Sequence, residues 1–481
     1  MPEDEEVSVG DLPPEAFRAA AHRTVDWIAD YLAGAEAWPV LSSVTPGEIA
    51  AQLPQSAPER GQPLEAILAD FHRIVMPGIT HWNAPGFMAY FAISGSAPGI
   101  VGEMLAAALN VNAMLWRTSP AATELEEVTL DWLRQLIGLQ DQYRGVITDT
   151  ASVSSLLAIT AARERLGLNA REEGLAGRPE VPRLRLYTSE QAHSSIDKAA
   201  IMVGIGLKSV RKIPVDSAFR MKPAALAAAV AEDRAAGWLP FCVAATTGTT
   251  STGSIDPVRE IADVCADSSL WLHVDGAYGA SAAVVPEFRW VLDGCDRADS
   301  LVVNPHKWLF TPVDCSVLFV RNPQDFISTF SLVPEYLKSE TDVTNYMDWG
   351  VQLGRRFRAL KLWMVLRAFG AEGLRANIRS HIALAAEFAD QIRGSERFEL
   401  TAPPRLSVVC FRARPARDST GDESDAINEA ILARVNQSGE AFLSSTRLNG
   451  RLTLRLAIGN LRTERRHVMR VWELLQSAAA G

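Results

Sequence analysis

A lysine and an aspartate, each placed just after a short apolar stretch, are the residues of this sequence best suited to chemistry. Residues 270–274 predict a buried strand that ends at Asp275, and residues 300–303 predict a second strand that leads to Lys307. Apolar neighbours remove water from a lysine amine and lower its pKa, which makes the neutral, nucleophilic form accessible. A nearby carboxylate can keep a pyridine nitrogen protonated. The pair therefore suits a pyridoxal cofactor bound to Lys307, with Asp275 at the ring nitrogen.

Each of these residues also has a more ordinary interpretation. A single aspartate at a strand end is more often a cap or an ion-pair partner, and a single lysine is usually a surface residue with a packed apolar stem. A metal site is a third interpretation. His273 and Asp275 lie two apart on one strand face, and His306 could complete a set of two histidines and one carboxylate. The cofactor interpretation is preferred because a metal site leaves Lys307 without a role.

Composition sets the size and the general class of the protein. A chain of 481 residues is too long for one core, and its 48% hydrophobic content is enough for two or three structural units. The net charge of −10 argues against a broad nucleic-acid-binding surface, so the expected ligands are small molecules. The five cysteines are odd in number and lie mostly in apolar runs, which predicts reduced core thiols.

The sequence gives no indication of a membrane or secretory segment. The first ten residues, MPEDEEVSVG, are acidic and contain no basic region followed by an apolar stretch, so no signal peptide is expected. No uninterrupted apolar run reaches the length of a membrane span. We therefore expect a cytoplasmic protein without a membrane partner.

Four motifs together resemble one enzyme family. HVDGAYG (273–279), NPHKW (304–308), SEQAHSSIDKA (189–199) and THWNAPGFMAYF (80–91) are similar to segments of the group II pyridoxal-phosphate decarboxylases, specifically the aromatic-L-amino-acid decarboxylases. The similarity is nearly continuous from about Pro14 to the C-terminus, with a similar order and spacing of motifs. Any one motif alone would be a weak signal.

The resemblance implies an α/β fold of the aspartate-aminotransferase-like kind (fold type I). It implies a mainly parallel, seven-stranded-type sheet in a large pyridoxal-phosphate-binding domain, a smaller C-terminal α/β domain and an N-terminal helical segment. The alternation of strand, loop and helix up to about residue 320 independently predicts a parallel sheet covered by helices. We place the N-terminal helical segment, which would serve dimerisation, at residues 1–96. The large cofactor-binding domain is expected at 97–363 and the small C-terminal domain at 364–481.

A hydroxyl-rich segment before a predicted helix suggests where a phosphate would bind. The short strand near 146–147 opens into Thr148, Asp149 and Thr150 before a helical run over 153–166, and a helix N-terminus offers free backbone amides. Ordinary N-capping by Thr150 or Ser152 is the alternative. The family tends to have Gly-Ser-Ala-Ser here, so this chain departs from it while keeping one hydroxyl. The cofactor-binding residues that the resemblance implies are Thr150, Ala151, Ser152, His193, Thr250, Asp275, Ala277, Asn304, His306 and Lys307.

The substrate pocket is predicted from an aromatic segment and from the resemblance. Residues 77–96 contain many aromatic side chains between turn residues, which suits an apolar pocket wall. The family commonly has Pro-Thr where this chain has Ala92-Ile93, and often an aromatic residue at the position of Met114. Gly354 leaves room for a bulky ring such as indole. The pocket residues that we expect are Trp82, Tyr90, Phe91, Ile93, Met114 and Gly354.

The resemblance also implies a lid and a second subunit. Residues 331–346 correspond to a mobile loop that closes over the partner subunit's site, and Tyr336 corresponds to the tyrosine that gives a proton to Cα. Residues 110–116 correspond to a loop that reaches the neighbouring active site. We therefore expect a homodimer with shared active sites. The catalytic residues implied in this way are Lys307, Tyr336, His193, which would stack on the cofactor ring, and Asp275.

The expected reaction is decarboxylation of an aromatic L-amino acid to the arylalkylamine and CO2. Tryptophan, DOPA, 5-hydroxytryptophan, tyrosine and phenylalanine remain open as substrates. Residues 82–93 offer rings and no basic side chain, which argues against glutamate. An aromatic aldehyde synthase would use the same site, although relatives with phenylalanine at the position of Tyr336 tend to make aldehydes, so the tyrosine favours the amine. A catalytically silent scaffold paralogue is the remaining alternative, and the presence of Lys307 argues against it.

Overall fold

Two β-sheets organise the chain. The computed structural model describes residues 10–332, 343–414 and 421–480. A seven-stranded sheet has the strand order β1-β7-β6-β5-β4-β2-β3, and a four-stranded sheet lies nearer the C-terminus. The strands of the large sheet are β1 (Arg144–Thr148), β2 (Leu184–Ser189), β3 (Val210–Ile213), β4 (Leu239–Thr246), β5 (Trp271–Asp275), β6 (Ser300–Val303) and β7 (Ser316–Val320).

The large sheet is mainly parallel, as the sequence predicts. β7 pairs antiparallel with β1 and β6, whereas the pairs β2–β3, β2–β4, β4–β5 and β5–β6 are parallel. The central strands β5, β6 and β7 are buried at every residue, which explains their short, continuous apolar runs. Because β1, β2, β4, β5 and β6 run in the same direction, their carboxyl ends meet at one edge of the sheet, where ligands bind in open α/β folds.

Helices cover both faces of this sheet and bury two hydrophobic clusters against it. On one face, α5 packs against α7 and α11, and on the other α4, α8 and α9 cover the strands. The helices up to the end of the large sheet are α1 (Pro14–Ala33), α2 (Leu64–Asp70), α3 (Ala97–Leu109), α4 (Pro120–Ile137), α5 (Ala151–Glu164), α6 (Ala170–Glu173), α7 (Ser195–Met202), α8 (Pro223–Ala235), α9 (Val258–Asp267), α10 (Pro305–Trp308) and α11 (Pro323–Phe330).

The C-terminal part forms a smaller antiparallel sheet with its own core. Asn449-Gly450 is a dipeptide typical of a tight hairpin turn, and both residues adopt positive φ (50° and 79°) between two paired strands. The charged residues Asp422 and Glu423 would suit a loop in the sequence, but they lie in the first turn of helix α13, which begins at Gly421. The remaining elements are α12 (Arg358–Arg393), β8 (Phe398–Leu400), β9 (Val408–Ala413), α13 (Gly421–Gln437), β10 (Ser444–Leu448), β11 (Arg451–Ala457) and α14 (Arg465–Ala478).

Helices α1 and α2 form the N-terminal segment. The Trp27 ring of α1 stacks on Tyr31 at 5.4 Å between ring centroids and meets Phe71, just after α2, edge to face at 5.4 Å. Helix α2 continues beyond Asp70 as a π-helical turn over 71–75. The predicted unit boundaries at residues 96 and 363 stay predictions.

In the described part of the chain, every helix is too short or too polar to cross a lipid bilayer.

Candidate active site

Asp275 and Lys307 lie at the same edge of the large sheet. Asp275 is the last residue of β5, is only 7% exposed, and accepts a 3.1 Å hydrogen bond from the backbone N–H of Ala277. Lys307 lies in α10, the single turn that follows β6, and is half-buried. Since β5 and β6 are paired in parallel, with Asp275 opposite Val302, both residues reach the carboxyl edge together.

The amine of Lys307 is available for chemistry. No described residue forms a hydrogen bond or ion pair with its Nζ, which lies 5.3 Å from the centre of the Phe91 ring. Burial lowers the pKa of Lys307, the positive charge of Arg455 lowers it further, and the carboxylate of Asp275 opposes both effects. Desolvation favours the neutral form, which is the form that attacks an aldehyde.

His193 follows β2 at the same edge, and its ring is oriented by its own loop. The backbone N–H of Ser195 donates to Nδ1 at 3.1 Å, and the Ser195 hydroxyl lies 2.9 Å from the same nitrogen. Because Nδ1 accepts, a neutral ring carries its proton on Nε2. Desolvation lowers the pKa of His193, as do the charges of Lys307 and Lys198, while Asp275 raises it. The structure thus brings His193, Asp275 and Lys307 within electrostatic range of one another.

The N-terminus of α5 offers unpaired donors at this edge. Thr150 is the N-cap residue, but its side chain makes no capping hydrogen bond, so the capping alternative receives no support. The backbone N–H groups of Ala151 and Ser152 donate to no acceptor in the described part of the chain. Thr150 and Ser152 are exposed. Free amides at the positive end of a 14-residue helix are the kind of donors that suit a phosphate.

A buried chain of polar side chains connects this helix to α10. The hydroxyl of Ser154 lies 2.8 Å from that of Thr148 and 3.0 Å from that of Ser316. Ser316 donates to Asn304 Oδ1 at 2.7 Å, and the Asn304 amide lies 3.2 Å from His306 Nε2. The chain fixes α5 and the turn that carries Lys307 relative to each other. Sequence analysis missed Ser154 and Ser316, since only the antiparallel strand β7 brings Ser316 here.

The histidines of the metal alternative are held by protein partners. His273 is fully buried between the hydroxyls of Ser155 (3.0 Å) and Ser300 (2.9 Å), and burial lowers its pKa to about 4. His306 Nδ1 accepts from the backbone N–H of Cys315 at 2.9 Å, and burial lowers the pKa of His306 to about 3. Within the described ranges, no three His, Cys, Asp or Glu side chains are grouped as a metal site requires.

Aromatic rings form the wall beside Lys307. Phe91 stacks on Tyr278 with centroids 3.7 Å apart, and Tyr278 stacks on Trp308 at 4.6 Å. Trp82 lies farther along the same loop and stacks on Phe87 at 4.1 Å and on Tyr90 at 6.1 Å. Four pocket residues are predicted in this loop, and Phe91 is the one whose ring lies beside the amine of Lys307. Ile93, two residues further along the chain, is half-buried.

Met114 and Gly354 both lie beside Asn112. Asn112 Nδ2 is 3.4 Å from the sulfur of Met114, and a Cβ placed on the exposed Gly354 would be 3.8 Å from the same nitrogen. In the described part of one chain, no hydrogen bond, ring contact or ion pair joins this pair to Lys307. Thr250 is exposed in the loop that joins β4 to α9. Tyr336 lies outside the described residues.

Two further predicted residues, Ala277 and Asn304, link the segment after Asp275 to the turn that carries Lys307. The backbone N–H of Asn304 donates to the carbonyl of Ala277 at 3.2 Å, and that of Lys307 donates to the carbonyl of Asn304 at 2.9 Å. An unpartnered amine, a carboxylate, a neutral imidazole and an anion cradle thus share one sheet edge. This donor set fits pyridoxal phosphate.

Comparisons with known proteins agree with this geometry. A sequence family described as "Pyridoxal-dependent decarboxylase conserved domain" matches residues 46–414. Tyrosine decarboxylase 2 from Narcissus pseudonarcissus is 40% identical over 98% of this chain and 96% of its own length. Phenylacetaldehyde synthase from Arabidopsis thaliana is 40% identical over 98% of this chain and 97% of its own.

A solved structure extends the similarity to three dimensions. The crystal structure of Catharanthus roseus tryptophan decarboxylase in complex with L-tryptophan is 39% identical in sequence, and the alignment covers 98% of this chain and 99% of that one with a TM-score of 0.92. The family match covers most of the chain, and the relatives align over almost their full length. This chain belongs to the family of pyridoxal-dependent decarboxylases.

Proposed function

We propose that this protein decarboxylates an aromatic L-amino acid to the arylalkylamine and CO2. The observation that carries the proposal is the amine of Lys307, which has no partner among the described residues, lies 5.3 Å from the centre of the Phe91 ring and is within electrostatic range of Asp275. Similar proteins are named for tyrosine and tryptophan decarboxylation. The aromatic wall supplies apolar area for the side chain that these substrates share.

Each residue of the sheet edge has a role in this proposal. Pyridoxal phosphate, when bound, supplies a ring that accepts the electron pair left behind by CO2. Lys307 would hold it covalently, and Asp275 would keep its ring nitrogen protonated. His193 would cover the ring with its imidazole. The amides of α5 with Thr150, Ala151, Ser152 and Thr250 would hold the phosphate, and Ala277, Asn304 and His306 would shape the turn.

A second set of residues completes the reaction. Trp82, Tyr90, Phe91 and Ile93 border the substrate side chain and exclude water. Tyr336, in the predicted lid, delivers the proton to Cα.

We further propose that the active enzyme is a homodimer with shared sites. The exposed side chains of Val101, Leu105 and Leu109 follow one face of α3 at a spacing of four residues, and Met104 lies beside them. An apolar helix face of this kind suits contact with a second copy. Met114 and Gly354 would then border the partner's site. The cytoplasmic location expected from the sequence stays a prediction.

An aromatic aldehyde synthase is the second candidate, because phenylacetaldehyde synthase is among the similar proteins. That reaction consumes oxygen and releases aldehyde, ammonia and peroxide in place of the amine. Tyr336 favours the amine. Analysis of the product from a single substrate, as amine or as aldehyde with peroxide, separates the two.

The Lys307→Ala variant tests the main proposal. Wild-type protein should absorb visible light as purified and release CO2 from tryptophan, DOPA or tyrosine. The rate of Lys307→Ala should fall at least about a thousandfold, because the other residues of the site depend on the covalent attachment that Lys307 provides. Lys222→Ala, an exposed lysine before α8, is the control and should retain both properties. A wild-type protein without visible absorbance, or an active Lys307→Ala, would refute the assignment.

A further inference from the structure

The outer edge of β1 is hydrogen-bonded to side chains. β1 is the last strand at one end of the large sheet, so its outward backbone groups meet no further described strand. At the buried Ile147, Oε1 of Glu126 accepts from the backbone N–H at 2.9 Å, and Nη2 of Arg355 donates to the carbonyl at 2.9 Å. The two side chains therefore act as a neighbouring strand would and satisfy a buried sheet edge.

Glu126 and Arg355 also form a buried ion pair with each other. Nη2 of Arg355 lies 2.7 Å from Oε1 of Glu126, and the two residues are only 7% and 1% exposed. Glu126 comes from α4, and Arg355 lies 229 positions later in the sequence. The attraction within a buried pair is largely offset by the loss of hydration of both charges, so such a pair is weak evidence for added stability. What the pair holds in place is the better explanation for it.

The other donors of Arg355 hold the loop before α4. Its Nη1 donates to the carbonyl of Ala113 at 3.1 Å. Its backbone N–H donates to Asn112 Oδ1 at 2.9 Å, and its carbonyl accepts from the N–H of Ala113 at 2.9 Å. Arg355 thus joins this loop to α4 and to the edge of the sheet.

Tyr346, the last residue of the predicted lid, packs on the same guanidinium. Cζ of Arg355 lies 4.6 Å from the centre of the buried Tyr346 ring. The next residue, Met347, donates its backbone N–H to the carbonyl of Met114 at 3.0 Å. A planar guanidinium can donate hydrogen bonds in its plane while an aromatic ring packs on its face, which an ammonium group cannot do. The arrangement therefore requires arginine at this position.

We propose that Arg355 is a positioning residue for the two neighbouring pocket residues, Met114 and Gly354, and thereby decides which aromatic ring the enzyme prefers. The inference rests on the proposed function, in which those two residues border the site of the substrate. Met114 follows Ala113, and Gly354 precedes Arg355, so each is one peptide bond away from a residue held at the sheet edge. The side chain of Arg355 is bound to that edge, so it acts through its neighbours.

A displaced segment would affect different rings unequally. Gly354 has no side chain, and a Cβ built there would meet only Nδ2 of Asn112, at 3.8 Å, among the described residues. Beside it, Met114 is flexible, so the position of the backbone determines how much room a ring has. Indole is larger than phenol, and a shift of about 1 Å is enough to change the contacts of one ring more than those of the other.

Arg355→Lys tests the proposal in the holoenzyme. Lysine keeps a positive charge beside Glu126 but cannot reproduce the planar fork. The probes are indole-3-propionate and 3-(4-hydroxyphenyl)propionate, which share a carboxylate chain, lack the amine and differ in the ring. The ratio of their Ki values, measured against whichever aromatic amino acid the wild type decarboxylates, should shift about tenfold. The visible absorbance of the bound cofactor should stay unchanged.

A purely structural role is the competing explanation, and Arg412→Lys is the matched control for it. Arg412 is also buried but lies in the C-terminal sheet, where it contacts Glu399 and Ser424. Arg412→Lys should leave the ratio of the Ki values unchanged, even if its urea midpoint falls as far as that of Arg355→Lys. An unchanged ratio in Arg355→Lys, or an equal shift in both variants, would overturn the proposal.

Glu126→Gln tests the same link if Arg355→Lys does not fold. The amide oxygen of glutamine can still accept from the N–H of Ile147, but it holds the guanidinium of Arg355 less strongly. The ratio of the Ki values should shift about threefold in this variant, and an unchanged ratio would again overturn the proposal. Failure of the wild type to decarboxylate any aromatic amino acid would instead refute the proposed function.

Discussion

Trp308, the residue after Lys307, is held by a buried histidine. Its indole Nε1 donates to Nδ1 of His381 at 3.0 Å, and the two rings are nearly parallel, with centroids 6.5 Å apart. Burial lowers the pKa of His381 to about 4. A protonated ring could no longer accept this hydrogen bond, so the turn that carries Lys307 depends on a neutral His381.

We therefore predict that His381 makes stability fall with acid. Its folded pKa of about 4 lies below the ordinary 6.5, so between these values the unfolded chain binds more protons. Stability should decrease by up to about 1.4 kcal/mol per pH unit below 6.5 from this residue. His381→Gln keeps an acceptor but cannot titrate, so its urea midpoint should fall less steeply from pH 6.5 to 5. The exposed His22→Gln should retain the wild-type slope, and an equal slope in His381→Gln would contradict the prediction.

Site residues that follow a recognisable local pattern can be predicted from the sequence. Residues that reach the site from a distant strand cannot. Asp275 and Lys307 follow two short apolar runs, so their place at strand ends could be predicted. Arg455 could not, because it alternates with Leu454 and Leu456 in β11 and such alternation ordinarily points a charged residue to solvent. The structure covers both faces of β11.

Helix α5 is the element of the candidate site that the sequence predicts most directly. Its prediction needed only an apolar strand, a group of hydroxyl residues and a helical run, and the helix begins two residues before the predicted start. The short strand β3 had no such signal, because its sequence, Val-Arg-Lys-Ile, gives neither an apolar run nor a clean alternation. The role of α5 depends on its first free amides, which sequence alone cannot show to be unpaired.

A proline at the first position of α5 tests that role. Ala151→Pro removes one free N–H, and proline is tolerated there because the amide has no helical acceptor and Thr150 is already extended (ψ 159°). We predict that the apoprotein folds normally and binds pyridoxal phosphate about tenfold to a hundredfold more weakly, since a charge-assisted hydrogen bond is lost. Fluorescence titration of the apoprotein measures this.

The control for this experiment is a proline at the same position of a helix far from the sheet edge. Arg465→Pro occupies the first position of α14, after an equally extended residue, Glu464 (ψ 168°). It should leave cofactor affinity unchanged. Equal cofactor affinity in Ala151→Pro and wild type would show that the first amide of α5 does not contact the phosphate.

At the scale of the whole molecule, distant segments of the chain bring predicted pocket residues together. Phe91 contacts the Lys307 region, whereas Met114 and Gly354 lie beside Asn112. The mainly parallel direction of the large sheet could be predicted, because it follows from alternating strands and helices along the chain. The approach of Gly354 to Asn112 could not, since it depends on packing between segments more than 200 residues apart.

If the sites are shared, two inactive variants should restore each other. Lys307→Ala and Gly354→Trp, each inactive alone, would damage opposite halves of the shared site, so a mixed dimer would contain one site with both defects and one with none. Random mixing after dissociation should return about a quarter of wild-type activity. Lys307→Ala mixed with Asp275→Asn should recover nothing, because both defects lie in the same half. Equal failure of both mixtures, with mixed dimers confirmed by mass spectrometry, would place each site within a single chain.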